Sequence, residues 1–143
     1  MMHILIRSET RKNEERVGIT PIGAKKLIKK GIKVSIEESR TRIIPISEFV
    51  KVGCEVLKEN SWSKASSDTI IFGLKELPEY PLKLRHRHIM FGHAFKGQQS
   101  ARNLLKRFKA GGGVLYDIEY LLNSKGRRVA AFGYWAGYVG AAV

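Results

Sequence analysis

The segment Thr69-Ile70-Ile71-Phe72-Gly73-Leu74 constrains the fold more than any other. It is a short apolar run without a charge and lacks the polar alternation of a half-exposed strand, so it reads as a parallel strand covered on both faces. The rest of the chain supplies neighbours for it. His3-Ile4-Leu5-Ile6 reads as an opening strand, followed by a polar loop from Ser8 to Val17. Thr20-Pro21 then starts a helix, with Thr20 as N-cap and Pro21 at the first helical position, where its missing N–H costs nothing. Ala24, Leu27 and Ile28 form the apolar stripe of that helix, Gly31 stops it, and Lys33-Val34-Ser35-Ile36-Glu37 is the next strand. Ser47 to Val52 reads as a short helix ended by Gly53, and Cys54-Glu55-Val56-Leu57 as a third strand. A further strand is predicted at His88–His93. Gln98 to Ala110 is the clearest helix, with Ala101, Leu104, Leu105 and Phe108 on one side. Gly111-Gly112-Gly113 ends it, Val114–Asp117 follows as a strand, and Arg128–Phe132 reads as one more. Such alternation predicts an α/β fold with a mainly parallel sheet.

A chain of 143 residues with 43% hydrophobic residues suits one domain with a real core. Its 9% aromatic content and its Ile/Leu/Val runs exclude a disordered chain. No stretch approaches the ~20 apolar residues that a membrane span needs, so no membrane partner is expected. Met1–Arg7 is too short and too charged for a signal peptide. The single cysteine, Cys54, permits no internal disulfide, fits a reducing compartment and reads as a small buried hydrophobe. The expectation is a cytoplasmic protein. Lys and Arg outnumber Asp and Glu by 26 to 13, a formal net charge of +13. That charge raises nucleic-acid binding as a hypothesis. The basic residues are scattered, however, and several, such as Lys25, Lys26, Lys29 and Lys30 or Arg102, Lys106 and Lys109, fall at the spacing of solvated helix faces. With no zinc-finger spacing, RNA-binding signature or basic tail, no nucleic-acid partner is expected. The same positive field suits small polycarboxylates. Residues 133–143 carry no charge and hold Gly133, Gly137 and Gly140 at spacings that permit close helix packing, which invites a partner or a second copy.

Ligands of open α/β sheets bind beyond the carboxyl ends of the strands. Lys75 follows one apolar strand and His93 closes another, so parallel strands would project both from the same edge. A Lys/His pair in a partly dry crevice suits proton transfer, since desolvation and mutual repulsion lower both pKa values toward neutrality. The competing reading is an exposed lysine and a packed histidine. His86, His88 and His93 invite a metal, and alternation puts the first two on one face. No cysteine or carboxylate completes a ligand set, so a structural role is preferred and no metal is expected. Gly111-Gly112-Gly113 lacks a following GK[ST] and reads as a helix stop, and GxGxxG is missing from the chain.

Several segments taken together resemble the NAD-dependent, lysine-forming saccharopine dehydrogenases. They are Arg7-Ser8-Glu9-Thr10, Glu14-Glu15-Arg16-Val17-Gly18-Ile19-Thr20-Pro21 and the stretch from Ile71 through Gly73-Leu74-Lys75-Glu76 to Glu79. Three more follow in order: His86 to Lys96, Leu115-Tyr116-Asp117-Ile118-Glu119, and Gly126 to Gly133. The wider relationship takes in alanine dehydrogenase and the nicotinamide nucleotide transhydrogenase, which share the Arg…Thr-Pro opening and the Lys-then-His arrangement. The resemblance implies a Rossmann-like open sheet with helices on both faces. It also implies a reaction in which saccharopine, NAD and water give lysine, 2-oxoglutarate and NADH. Lys75 would take the amine proton and His93 would serve as acid–base catalyst for imine hydrolysis. Arg16 and Arg128 would hold substrate carboxylates, with Lys96 nearby, and Glu14, Glu76 and Glu119 would adjust the charge of the site. Arg11 stands where family members commonly carry lysine. The family is more than twice as long as this chain, and its nucleotide-binding half lies downstream. Residues 1–132 are therefore expected to form the substrate-side domain and 133–143 to begin an interdomain helix. NAD would be bound by a domain outside these residues, a complementary nucleotide-binding domain would be the partner, and the 143 residues alone would be inactive. An alanine dehydrogenase-like domain and a non-catalytic carboxylate-binding domain are the competing readings.

Overall fold

The computed structural model describes residues 1–92 and 99–127. In chain order these form strand β1 (His3–Ile6), helix α1 (Pro21–Lys29), β2 (Lys33–Glu37), α2 (Ile46–Lys51), β3 (Glu55–Leu57), β4 (Ile70–Phe72), β5 (Arg87–Met90), α3 (Gln99–Gly111) and β6 (Val114–Asp117). Two single 3-10 turns lie at Trp62–Lys64 and Ile118–Tyr120. The strands make one sheet in the order β3-β2-β1-β4-β5-β6, and every neighbouring pair is parallel. The expected mainly parallel α/β architecture is the one observed. The Arg128–Phe132 strand and the residue 133–143 helix lie outside the described residues.

Local chemistry explains the first crossover. The Thr20 hydroxyl accepts the amide of Gly23 at 3.1 Å, satisfying one of the orphan donors at the start of α1, and Pro21 opens the helix. Gly31, at φ +85°, takes the left-handed turn that L-residues avoid and sends the chain into β2. Register then sorts the apolar side chains. Ile6, Val34 and Ile36 share one face of the sheet and pack against Ala24 of α1 and Phe49 of α2. Leu5, Ile71 and Met90 share the other face and pack against Trp62 and Phe108 of α3. Helices thus lie on both faces, as a parallel sheet requires. Each fully buried Leu, Ile or Phe contributes roughly 1.5–3 kcal/mol of hydrophobic stabilisation.

Some details depart from the sequence reading. Leu105 is 40% exposed, whereas Ala101 and Phe108 are buried. The end of α3 is pressed onto the segment that precedes β5 at Gly111, where a Cβ would stand 2.3 Å from the Leu84 carbonyl oxygen, and the Leu104–Phe108–Gly111 edge faces inward. The strands are also shorter than the apolar runs: β4 stops at Phe72 and β5 at Met90, so Lys75 sits in a turn beyond its strand. Ser35 and Glu37, the polar alternates of β2, are both fully buried. Glu37 is accommodated because its carboxylate accepts the amides of Ser8 at 2.8 Å and Trp62 at 2.9 Å.

Candidate active site

The strand order reverses between β1 and β4: the chain runs outward through β2 and β3 on one side and through β5 and β6 on the other. At such a switch point the loops leaving adjacent strands diverge and open a crevice above the carboxyl edge. Here the two loops are Arg7-Ser8-Glu9 after β1 and Gly73-Leu74-Lys75-Glu76 after β4. They are tied together. The Glu9 carboxylate accepts the Leu74 amide at 3.0 Å and the Lys75 amide at 2.8 Å, and Arg7 Nη2 donates to the Lys75 carbonyl.

Beside this junction lies a cleft of about 500 Å³ floored by Met90 and Phe91. Arg11, Lys75, Glu76 and Glu79 line one side, and Asn103 and Arg107 of α3 line the other. Two of its three cations are already engaged. Arg11 Nε pairs with Glu76 Oε1 at 2.9 Å, and Arg107 donates from Nε and Nη2 to the Pro81 carbonyl at 3.1 and 2.7 Å. The Lys75 ammonium makes no hydrogen bond or ion pair to any described residue. Burial works to raise the Glu76 pKa, but its own amide, the Arg11 hydrogen bond and the charges of Arg11 and Lys75 outweigh it and hold the carboxyl below its usual value. A half-buried primary amine flanked by carboxylates held ionised can bind an anionic group or exchange a proton with one.

The other expected residues fall into three sets. Glu14 and Arg16 form a bidentate pair, with Arg16 Nε 2.7 Å from Glu14 Oε1 and Arg16 Nη2 2.9 Å from Glu14 Oε2. The Arg16 hydrogen bond lowers the Glu14 pKa against the opposing effect of burial, and the charge of Lys75 adds to the lowering, so this pair lies within electrostatic reach of the cleft. Neither residue lines it. Glu119 sits in the turn after β6, where its amide donates to Asp117 Oδ1 at 3.1 Å. The same oxygen accepts the Gly92 amide at 3.1 Å and so fastens the end of β5 to β6. His93, Lys96 and Arg128 lie outside the described residues.

His86 and His88 are core residues. Their rings lie 6.2 Å apart and pack edge-to-face with Trp62, and His86 Nε2 contacts the Ala65 carbonyl at 3.0 Å. Among the described residues no group of three or more His, Cys, Asp or Glu is placed to hold a metal. Cys54 is buried, and burial pushes its thiol pKa up. Sequence reasoning missed Asn103 and Arg107. Their spacing of four with Arg107 at the next turn was visible, but the face they share is identified only once α3 is docked beside β5.

Fold and cleft together define a Rossmann-type α/β domain with a charged crevice at its switch point. The family model described as "Alanine dehydrogenase/PNT, N-terminal domain" matches residues 5–139, and the chain belongs to that family. It is 47% identical over 138 residues to a saccharopine dehydrogenase [NAD(+), L-lysine-forming] of Yarrowia lipolytica, covering 96% of this chain and 37% of the relative. It is 48% identical to the corresponding enzyme of Emericella nidulans, covering 98% and 38%. With the mitochondrial alpha-aminoadipic semialdehyde synthase of Mus musculus it shares 32% identity, over 95% of this chain and 14% of that one. The chain thus spans a little over a third of the length of the fungal relatives. In fold it is similar to an L-alanine dehydrogenase, with a TM-score of 0.70 at 17% identity over 88% of this chain and 35% of that one. It is also similar to a transhydrogenase from Sinorhizobium meliloti, with a TM-score of 0.65 at 19% identity over 83% and 35%.

Proposed function

We propose that these residues form the substrate-side domain of a saccharopine dehydrogenase of lysine metabolism, an oxidoreductase that converts saccharopine, NAD and water to lysine, 2-oxoglutarate and NADH. The observation that carries this reading is the position of Lys75. It stands at the switch point, on the wall of the cleft, and is the cleft cation without a hydrogen-bond partner among the described residues. Near-50% identity to fungal saccharopine dehydrogenases over almost the whole chain supports the choice of substrate. The 17% identity to an L-alanine dehydrogenase speaks for fold alone.

In this account Lys75 accepts the proton of the secondary amine of saccharopine, and His93 handles the protons of imine hydrolysis. Arg16, Arg128 and Lys96 hold the substrate carboxylates, as guanidinium forks do bidentately. Substrate binding would require Arg16 to share or exchange its Glu14 partner. Glu14, Glu76 and Glu119 set the local charge and keep excess positive potential from fixing the product. NAD supplies the hydride acceptor and is held by a part of the enzyme outside these residues. The described residues offer no glycine cradle for a pyrophosphate at the β1/β4 junction, because the buried side chain of Arg7 and the carboxylate of Glu9 fill it. A nucleotide-binding domain, contacts made by residues 133–143 and a cytoplasmic location complete the proposal.

Titrating the isotope-labelled chain with saccharopine tests the site. The expected result is amide shifts at Lys75, Glu76, Gly92 and Asn103 around the cleft and at Glu14 and Arg16, all abolished or strongly weakened in Lys75→Ala. A response that leaves Lys75 and Glu76 unshifted, or an equal response in Lys75→Ala, would contradict it, and a response to pyruvate instead would favour the alanine dehydrogenase reading.

A further inference from the structure

We infer that Arg7 and Glu9 are positioning residues for Lys75, fixing its main chain from both sides so that its side chain leaves the turn toward the cleft from one backbone geometry. This rests on the proposal that Lys75 is the residue that meets the substrate. Glu9 takes the amides on the inner side of the turn: its two oxygens accept Leu74 and Lys75 separately, at 3.0 and 2.8 Å. Arg7 takes the other side of the same residue, donating from Nη2 to the Lys75 carbonyl in the following peptide unit at 2.5 Å. The two side chains also hold each other, with Arg7 Nη1 3.5 Å from Glu9 Oε1 and 3.3 Å from the Ser8 carbonyl. Lys75 is therefore held by an amide-to-carboxylate bond and a guanidinium-to-carbonyl bond, both charge-assisted and both partly buried.

Two further features fit a device for orientation. A fully buried arginine is expensive to desolvate and is a poor choice for stability alone. Arg7 is 1% exposed, and its Nε has no hydrogen-bond partner among the described residues, so the fork is aimed at Lys75 at the expense of full satisfaction. Gly73 makes room for it: a Cβ there would lie 2.3 Å from Arg7 Cζ and 2.4 Å from Nε and Nη2. Arg7, Glu9 and Gly73 thus form one unit, drawn from two loops that approach each other only at the switch point.

Acylation of Lys75 with an amine-reactive acetyl ester, read by peptide mass mapping with and without saccharopine, tests the unit. Lys33, at the opposite edge of the sheet and paired to Glu55, is the internal standard. Glu9→Gln and Gly73→Ala are expected to raise the ligand-free Lys75/Lys33 labelling ratio severalfold. They should also weaken protection by saccharopine on the order of ten-fold, as small misplacements of a reacting group do. Arg7→Lys keeps a cation beside Glu9 but lacks the fork that reaches the Lys75 carbonyl, and the same changes are expected of it if the larger substitutions prevent folding. Folded variants whose Lys75/Lys33 ratio and protection both match wild type would overturn the inference. Wild-type protein that saccharopine fails to protect would instead overturn the reading of Lys75, while the ligand-free ratio would still report on the positioning.

Discussion

Replacing His88 by phenylalanine should make the fold less sensitive to mild acid. The imidazole is fully buried, edge-to-face with Trp62 at 5.1 Å and Phe108 at 5.4 Å between ring centroids, and neither nitrogen has a hydrogen-bond partner among the described residues. Burial, with smaller contributions from the charges of Arg7, His86 and Arg107, lowers its pKa from 6.5 to about 3. The unfolded chain therefore takes up a proton in this window that the folded chain refuses. Stability is complete above about pH 6.5 and falls as the pH drops toward 3, by about 1.4 kcal/mol per pH unit. Acidification from about pH 6.5 to 4.5 thus removes about 2 kcal/mol, a large share of the stability of a small domain. Phenylalanine keeps an aromatic ring between Trp62 and Phe108 and forfeits no hydrogen bond, so the variant should fold normally at neutral pH. Urea melts of both proteins between about pH 7 and 4.5 measure the difference. Carboxylates such as Glu37, whose pKa burial pushes up, titrate alike in the two and cancel. Parallel losses of stability in wild type and His88→Phe would refute the reasoning.

Three other outcomes are expected. Thr20→Ala removes the N-cap of α1 and should cost about 1 kcal/mol in a denaturant melt, largely restored by Thr20→Ser. Gly111→Ala should destabilise by roughly 1–3 kcal/mol in the same melt despite alanine's better helix propensity, because the new methyl meets the Leu84 backbone. The 143-residue polypeptide made by itself should not oxidise NADH in the presence of lysine and 2-oxoglutarate. Loss of absorbance at the NADH band above a Lys75→Ala control would contradict this.

Much of the architecture was legible in the sequence because the signals are local. Thr20-Pro21 caps a helix by itself, Ile70-Ile71-Phe72 can hardly be anything but a strand, and Gly111-Gly112-Gly113 ends α3 with Gly112 at φ +77°. Lys75 was placed at the right edge of the sheet by the same logic. What alternation alone could not read was the inside of the sheet's second face. Ser35 and Glu37 look like the solvent-facing positions of β2, yet both are buried: Trp62, from a turn past the end of β3, supplies its amide to Glu37, and Ser35 Oγ pairs with His3 and Glu55. Arg7 stands between an apolar strand and the polar loop that begins at Ser8, where an exposed side chain would be expected. Its burial depends on Gly73 and the Lys75 carbonyl, more than sixty residues away. Leu105 failed for a different reason: its helical angle sits at the margin of the stripe, and the close approach at Gly111 decides which margin faces the core.

If Lys75 meets saccharopine in the cleft, it must do so in a complete enzyme. The most direct measurement exchanges the chain for the aligned portion of one of its fungal saccharopine dehydrogenase relatives and follows NADH formation from saccharopine. The account predicts a chimera that turns over, and a Lys75→Ala version whose kcat falls by about 100-fold or more, the usual contribution of a general base. A folded chimera that binds NAD but is inert, or one whose turnover is indifferent to Lys75→Ala, would contradict it.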